Sequence, residues 1–354
     1  MQPPEAHRAT LLEWFDRAAR DLPWRRTRDP YAIWVSEVML QQTRVETVLR
    51  YWRPWLERFA TVESLAAAPV DEVLHAWQGL GYYRRARNLH AGARFVVEQL
   101  GGLPASAEAW RSVPGVGPYT AGAIASIAFG EPVAAVDGNV IRVLSRWLAL
   151  HDDVTTRAGR AGIDAEAQRW LSPGRAGDWT QALMELGATV CTPTGPACGQ
   201  CPARAWCRAA SQGSPERFPV KPARKEQRPE QRFALVVSAP DGRELWCRRP
   251  DDGLLAGLWE YPLVEASTAD EALALLPGLH GVSATAAGPG AKVEHVFTHI
   301  RLTAQLVPAV ASTTPPPLPG SYAEARWVHP GEAAALARSR LMQKLRAAAS
   351  PAGR

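Results

Sequence analysis

The chain has 354 residues, 46% of them hydrophobic and 14 of them tryptophan, which exceeds the usual single domain and supplies enough apolar surface for two cores. A net charge of +5 suits a polyanionic partner without requiring one. The opening MQPPEAHRATLLEWF lacks the basic start, apolar run and cleavage site of a secretory signal, and the most apolar stretch, Thr120 to Val136, is interrupted by Gly130, Glu131 and Pro132, so neither export nor a membrane span is expected and the expected location is the cytoplasm.

From Leu11 to Cys207 apolar residues recur mostly at helical spacing, with Gly, Pro, Asp and Ser at the breaks, which predicts an all-helical first half. One helix is predicted where Asp29 can cap, Pro30 takes the first position, and Ile33, Val35, Val38, Met39, Val45, Val48 and Leu49 follow, with Glu37, Gln41 and Arg44 on a shared polar side. The segment Val113-Pro114-Gly115-Val116-Gly117-Pro118-Tyr119-Thr120 reads as a glycine hairpin leading into the small-residue helix Ala121 to Phe129. Glycines let a phosphate approach the backbone while the next helix start donates amides to it; an ordinary helix-helix turn has the same pattern. Asp137 precedes Gly138, Asn139 and a helix marked by Val140, Val143, Leu144, Trp147 and Leu148. Taken alone Asp137 reads as an N-cap, and Glu37 as a solvated glutamate.

Cys191, Cys198, Cys201 and Cys207 are separated by six, two and five residues. That spacing wraps four thiolates around one iron-sulfur cluster; tetrahedral zinc is the alternative, although it more often uses two separated C-x-x-C pairs. Four clustered cysteines do not resemble a secreted disulfide framework, and Cys247 reads as a buried apolar residue.

The stretch Gly213 to Arg232 is rich in proline and charge and reads as a linker. Beyond it, Phe233 to Val237, Glu244 to Cys247, Leu258 to Leu263, Val293 to Phe297 and Ile300 to Val307 are strand-like runs, and Ala269 to Leu276 and Gly331 to Ala349 are helical, which makes this half α+β. The expected division is a helical catalytic domain over 1–212 with the cysteine loop at 191–207, a linker over 213–231, and a second domain over 232–350. Pro315 to Pro319 reads as a proline-rich loop.

The glycine hairpin, the following aspartate and the C-x6-C-x2-C-x5-C loop, in this order, resemble the endonuclease III-like helix-hairpin-helix DNA glycosylases over most of residues 10 to 210. Within that superfamily, Trp34-Val35-Ser36-Glu37-Val38-Met39-Leu40-Gln41-Gln42-Thr43 and Trp77-Gln78-Gly79-Leu80-Gly81-Tyr82-Tyr83 are similar to the adenine-specific MutY branch. Leu245-Trp246-Cys247-Arg248-Arg249-Pro250 and Gly257-Leu258-Trp259-Glu260-Tyr261-Pro262 resemble its Nudix-like C-terminal domain, without the acidic helix signature of true Nudix hydrolases after Pro262. The resemblance implies a multidomain protein: an all-α helix-hairpin-helix glycosylase domain with a [4Fe-4S] cluster loop, followed by an α+β Nudix-like domain.

The activity so implied is excision of adenine mispaired with 8-oxoguanine or guanine in double-stranded DNA, by a monomer. Tyr119 stands where bifunctional relatives carry lysine, and a phenol forms no Schiff base, so base removal without strand cleavage is expected. Glu37 would be the general acid and Asp137 the ionised group facing an oxocarbenium-like sugar, with Tyr119 and Asn139 supporting the aspartate. By similarity, Gln42 and Tyr82 would enter the duplex, and Trp24, Arg25, Leu40, Val45 and Glu185 would line the adenine pocket. Val113, Gly115 and Gly117 would form the DNA-binding hairpin, while Arg84, Arg85, Arg87, Arg142 and Arg146 are candidate phosphate contacts. His295-Val296-Phe297-Thr298-His299 resembles the loop that contacts 8-oxoguanine, with Thr298 in place of the usual serine. The loop residues expected to read the lesion are Phe297, Thr298 and His299.

Overall fold

In the computed structural model, which describes residues 5–222 and 226–349, the helix carrying Glu37 runs Pro30–Leu40, and Asp29 accepts the Tyr31 amide at 2.9 Å as its N-cap. Its residues are buried without interruption from Tyr31 to Met39. The helix therefore has no solvated polar side, and Glu37 is only 5% exposed. Nor does it continue to Leu49: the chain turns at Gln42, whose φ of 57° leaves the helical region, and a separate short helix follows at Val45–Val48. Nothing in the apolar spacing encodes that turn, because the next apolar set resumes in helical phase.

The chain divides into two units. The first comprises the described parts of Met1–Ala68 and Asn88–Ala223, the second those of Pro69–Arg87 and Arg224–Arg354. The first is helical, as expected, with Glu5–Ala18, Pro118–Phe129, Gly138–Leu148, Arg157–Trp170 and Ala176–Thr189 among its longest elements. Leu144, Trp147, Ile163, Trp179, Leu183 and Leu186 form much of one core between them. Two contacts set how closely these helices approach their neighbours, the loop before Gly138 and the helix it opens. A Cβ on Gly122 would stand 2.7 Å from the Ala134 carbonyl oxygen, and one on Gly187 would stand 2.5 Å from Asn139 Cβ. Only glycine permits that proximity.

The expected linker is shorter than composition suggested. Phe218 is 3% exposed in the first unit's core, the Val220 carbonyl accepts from the Val154 amide at 3.1 Å, and strand β1 already begins at Arg228. One buried aromatic is enough to dock a segment that is otherwise polar. Pro69–Arg87 also departs from the expected division at 212. Within the second unit the Tyr83 hydroxyl donates to the Arg338 carbonyl at 2.7 Å, and Arg87 pairs with Asp251 at 3.1 Å.

The second unit is built on a sheet of β1 (Arg228–Ser238), β2 (Glu244–Arg248), β3 (Trp259–Glu260), β4 (Leu263–Val264), β5 (Ala284–Ala286), β6 (Lys292–Val296), β7 (Ile300–Ala311) and β8 (Glu324–Val328). β1 and β7 run parallel from Arg228 opposite Ile300 to Ser238 opposite Val310. The main path is β3-β2-β1-β7-β5, with β4 on β1, β6 on β7 and β8 on β2. Alternation along β1 sends Ala234 and Val236 into one core and Leu235 and Val237 into the other, the period-two consequence of a pleated strand buried on both faces. The helix Arg340–Ala349 contributes Leu341, Met342 and Leu345 to the first core, and Leu276 belongs to the second. The predicted Leu258 to Leu263 run is divided between β3 and β4, and β5 and β8 were not anticipated. The predicted helix from Gly331 is a 3-10 turn at Glu332–Ala335 followed by the helix from Arg340. Among the described residues no helix is long and apolar enough to cross a membrane.

Candidate active site

Glu37 projects from an otherwise apolar helix toward the helix Pro118–Phe129, where the Tyr119 hydroxyl donates a short hydrogen bond to Glu37 Oε2. Burial pushes the Glu37 carboxyl up to about 7; the bond from Tyr119 and the charge of Arg25 pull it down, and the nearby Asp137 pushes it up further. A carboxyl so placed retains its proton near neutrality.

Asp137 occupies the N-cap of Gly138–Leu148. Its Oδ1 accepts the Val140 amide at 2.7 Å and its Oδ2 the Asn139 side-chain amide at 2.8 Å. Burial raises its pKa, while these bonds and the charge of Arg142 act in the opposite direction. Asp137 thus caps the helix, and the Asn139 side chain reaches its carboxylate. Tyr119 does not: its hydroxyl is committed to Glu37, and Met184 Sδ lies 3.8 Å away. Arg142 continues the arrangement beyond Asn139. Its Nη2 donates to Asn139 Oδ1 at 2.7 Å and to the Gly187 carbonyl at 2.8 Å, and its Nε to the Cys191 carbonyl at 2.7 Å.

Glu185 is 1% exposed and fully engaged. Arg20 grips it with Nε on Oε1 and Nη2 on Oε2, both at 2.8 Å, and Arg25 Nη2 meets Oε2 at 2.8 Å. Burial alone would raise this carboxyl, but the two guanidinium groups win and hold it at about 2. Arg20 is the site residue that the sequence did not reveal: it is one of many arginines, and only the fold shows its bidentate geometry. Trp24 is buried, edge-on to Trp52 at 6.0 Å; Leu40 and Val45 are half-buried.

In the hairpin, Val113 and Val116 are buried anchors. Gly115 has φ 80°, and a Cβ there would lie 2.5 Å from Asn88 Cβ. Gly117 caps the next helix without a side-chain bond, and Pro118 follows, so no side chain of the cap occupies the main-chain donors of the first turn. Gln42 and Tyr82 are both exposed, with φ values of 57° and 48°, conformations that non-glycine residues adopt at a cost of about 1–3 kcal/mol when the surroundings enforce them.

Two of the five proposed phosphate contacts are excluded by burial. Arg146 is 1% exposed and bonded internally, and Arg85 is buried against the rings of Trp77 and Tyr82. Arg142 and Arg87 are committed as described above, whereas Arg84 is exposed. A guanidinium reads as surface charge in sequence even when the fold consumes its donors.

Phe297, Thr298 and His299 form the tip between β6 and β7, closed by the Phe297 amide on the Ile300 carbonyl at 2.8 Å. Thr298 and His299 are exposed, and Phe297 is half-buried edge-on to His295 at 4.6 Å. The Gln227 side chain donates to the Phe297 carbonyl at 3.0 Å, and the Arg228 amide to the His299 carbonyl at 3.0 Å.

The four cysteines line one pocket together with Trp147 and Val190. Among the described residues no group of three or more His, Cys, Asp or Glu is gathered so as to hold a metal ion. The thiols nonetheless form an all-sulfur donor set in a mainly apolar surround, the chemistry an iron-sulfur cluster takes. Burial pushes the Cys201 thiol up to about 12, and the neighbouring cysteines push the same way. Cys247, by contrast, is wholly buried in the second unit's sheet, as expected.

Comparison with known proteins matches residues 35–170 to the HhH-GPD superfamily base excision DNA repair protein family and residues 233–348 to the NUDIX domain. The adenine DNA glycosylase of Homo sapiens is 41% identical over 96% of this chain and 73% of its own length, and that of Rattus norvegicus 42% identical over 91% and 74%. The solved structure of a thermostable thymine-DNA glycosylase superposes with a TM-score of 0.54 at 28% identity, covering 59% of this chain and 98% of that one.

Proposed function

The chain belongs to the adenine DNA glycosylase family, and from that premise we propose how its residues hydrolyse the N-glycosyl bond of adenine and which mispair they select. It is a base-excision repair glycosylase with a helical HhH-GPD domain and a Nudix-like domain. The observation that carries the mechanism is the placement of two buried carboxyls in different surroundings, Glu37 biased toward its proton and Asp137 supplied with donors.

Glu37 donates its proton to the departing adenine, and Asp137, ionised, faces the positive charge that grows on the sugar; water then completes hydrolysis and leaves an abasic site. Tyr119 holds the Glu37 carboxyl in place and, lacking an amine, forms no imine, so the strand stays intact. Extruding the base costs a few kcal/mol, less for a mispair. Gln42 and Tyr82 fill the space left in the stack, and the Arg20–Glu185–Arg25 group lines the adenine pocket. The exposed Thr298 and His299 read 8-oxoguanine opposite the adenine, the threonine hydroxyl serving as donor or acceptor.

Cys191, Cys198, Cys201 and Cys207 would hold a [4Fe-4S] cluster that supplies no group to bond cleavage and shapes the loop bearing the exposed Arg204 and Arg208 for contact with phosphates. The protein acts as a monomer on double-stranded DNA.

The test is a duplex bearing one 8-oxoguanine opposite adenine, under single-turnover conditions. Adenine release with strand scission only after alkali is expected, faster than from an undamaged A·T pair. Strand cleavage before alkali would refute the monofunctional mechanism, and equal rates on the two duplexes would remove the reader role from Phe297, Thr298 and His299.

A further inference from the structure

Arg146 is a buried positive charge whose partners among the described residues include no carboxylate. Its side chain, on the helix Gly138–Leu148, is 1% exposed. Nε donates to the Phe218 carbonyl at 3.2 Å, Nη1 to that of Thr192 at 2.7 Å and Nη2 to that of Pro193 at 2.9 Å. The remaining contact is Nη1 to Cys191 Sγ at 3.3 Å. The arginines around Glu185 show the usual arrangement, in which a buried carboxylate balances the cations. At Arg146 the carbonyls satisfy the hydrogen bonds but leave the charge uncompensated, and an uncompensated buried ion is strongly destabilising.

The same guanidinium lines the pocket of the four cysteines. Four thiolates around an iron-sulfur core carry net negative charge, and the pocket is where that charge would lie. We propose that the counter-ion of Arg146 is the cluster itself, so that Arg146 is a positioning residue that governs how firmly the cluster is retained and at what potential it is reduced. This inference rests on the cluster assignment made above. Hydrogen bonds to cluster sulfurs and the local net charge are among the factors that set cluster potentials. Removing a cation beside the cluster disfavours the more negative, reduced state and moves the potential downward. The carbonyls of Thr192 and Pro193 fasten the guanidinium to the segment immediately after Cys191, so charge and loop geometry meet in one side chain.

The experiment uses the full chain, purified without air, as wild type, Arg146→Lys and Arg146→Gln. Iron per protein, visible absorption and reduction potential are measured, with circular dichroism as the control for folding. Wild type and the lysine variant are expected to retain the cluster; the glutamine variant should hold less than half the iron, and what remains should be reduced at a more negative potential. A glutamine variant with a full cluster at the wild-type potential would overturn the proposal. So would equal depletion in both variants, because carbonyl geometry rather than charge would then be responsible. Wild type purified without iron, in a folded chain, would instead overturn the cluster assignment, and this inference with it.

Discussion

Replacing Glu37 by glutamine should make the protein more stable and nearly inactive at once. The carboxyl has a pKa of about 7 in the folded chain against an ordinary value of 4.5, with burial as the largest cause. Every tenfold gain in proton affinity is worth about 1.4 kcal/mol, so the folded state carries a penalty of about 3 kcal/mol once the group must ionise. The sign follows from proton counts: between pH 4.5 and 7 the folded chain keeps a proton that the unfolded chain releases, so stability falls as pH rises through that window. The amide in Glu37→Gln cannot ionise and still offers an oxygen to the Tyr119 hydroxyl. At pH 8 the variant should exceed wild type by up to about 3 kcal/mol, with the gap closing toward acid pH. Its single-turnover excision rate should fall roughly 100-fold or more, the usual contribution of a general acid, and wild-type excision should decline as pH rises through about 7. Thermal unfolding at several pH values, together with excision from a duplex containing 8-oxoguanine opposite adenine, measures both. If the variant is no more stable than wild type at pH 8, or if wild-type excision is flat across neutrality, the assignment of Glu37 as a buried acid fails.

Tyr119→Phe removes the bond that pulls the Glu37 carboxyl down, so the alkaline limb of the pH–rate profile should move upward; a limb that stays in place or moves downward would count against that bond. The variant should still leave the strand intact, because phenylalanine supplies no amine. Gly187→Ala would place its methyl 2.5 Å from Asn139 Cβ, which should cost about 1–3 kcal/mol as overpacking and slow excision by displacing the partner of Asp137. Gly162→Ala, in a helix with open space around the position, is the control, and it should be neutral or slightly stabilising. Equal melting temperatures for the two alanine variants would refute the close approach.

Residue types at fixed spacing made much of the site legible. Asp137 before a helical pattern and the glycines of the hairpin are backbone requirements, and the four cysteines that line one pocket are a spacing pattern; such features leave marks in sequence. The apolar run from Phe233 to Val237 likewise marked the core of β1. What stayed hidden depends on distance in space. Tyr119 was expected beside Asp137, whereas its hydroxyl bonds Glu37, and Arg146 looked like a phosphate contact because burial is invisible in a string of charges. The end of the glutamate helix at Leu40 was missed because Gln42 adopts a left-handed backbone that its residue type does not demand. Pro69–Arg87 was placed with its sequence neighbours, although the contacts of Tyr83 and Arg87 group it with residues far along the chain.

The last turns of Ala176–Thr189 concentrate several tasks in few residues. Met184 touches the hydroxyl that bonds Glu37, Glu185 gathers two arginines, Gly187 admits Asn139 and offers its carbonyl to Arg142, and Cys191 follows the helix C-cap Val190. Because Met184, Glu185 and Gly187 share one rigid rod that leads into the cysteine loop, a substitution that rotates or shifts it is expected to be pleiotropic: under the proposed function, adenine recognition, alignment of the two carboxyls and loading of iron should decline together. In a saturation scan of the whole chain this segment should stand out as a trough of tolerance, and second-site suppressors should fall on the helices it touches rather than within it.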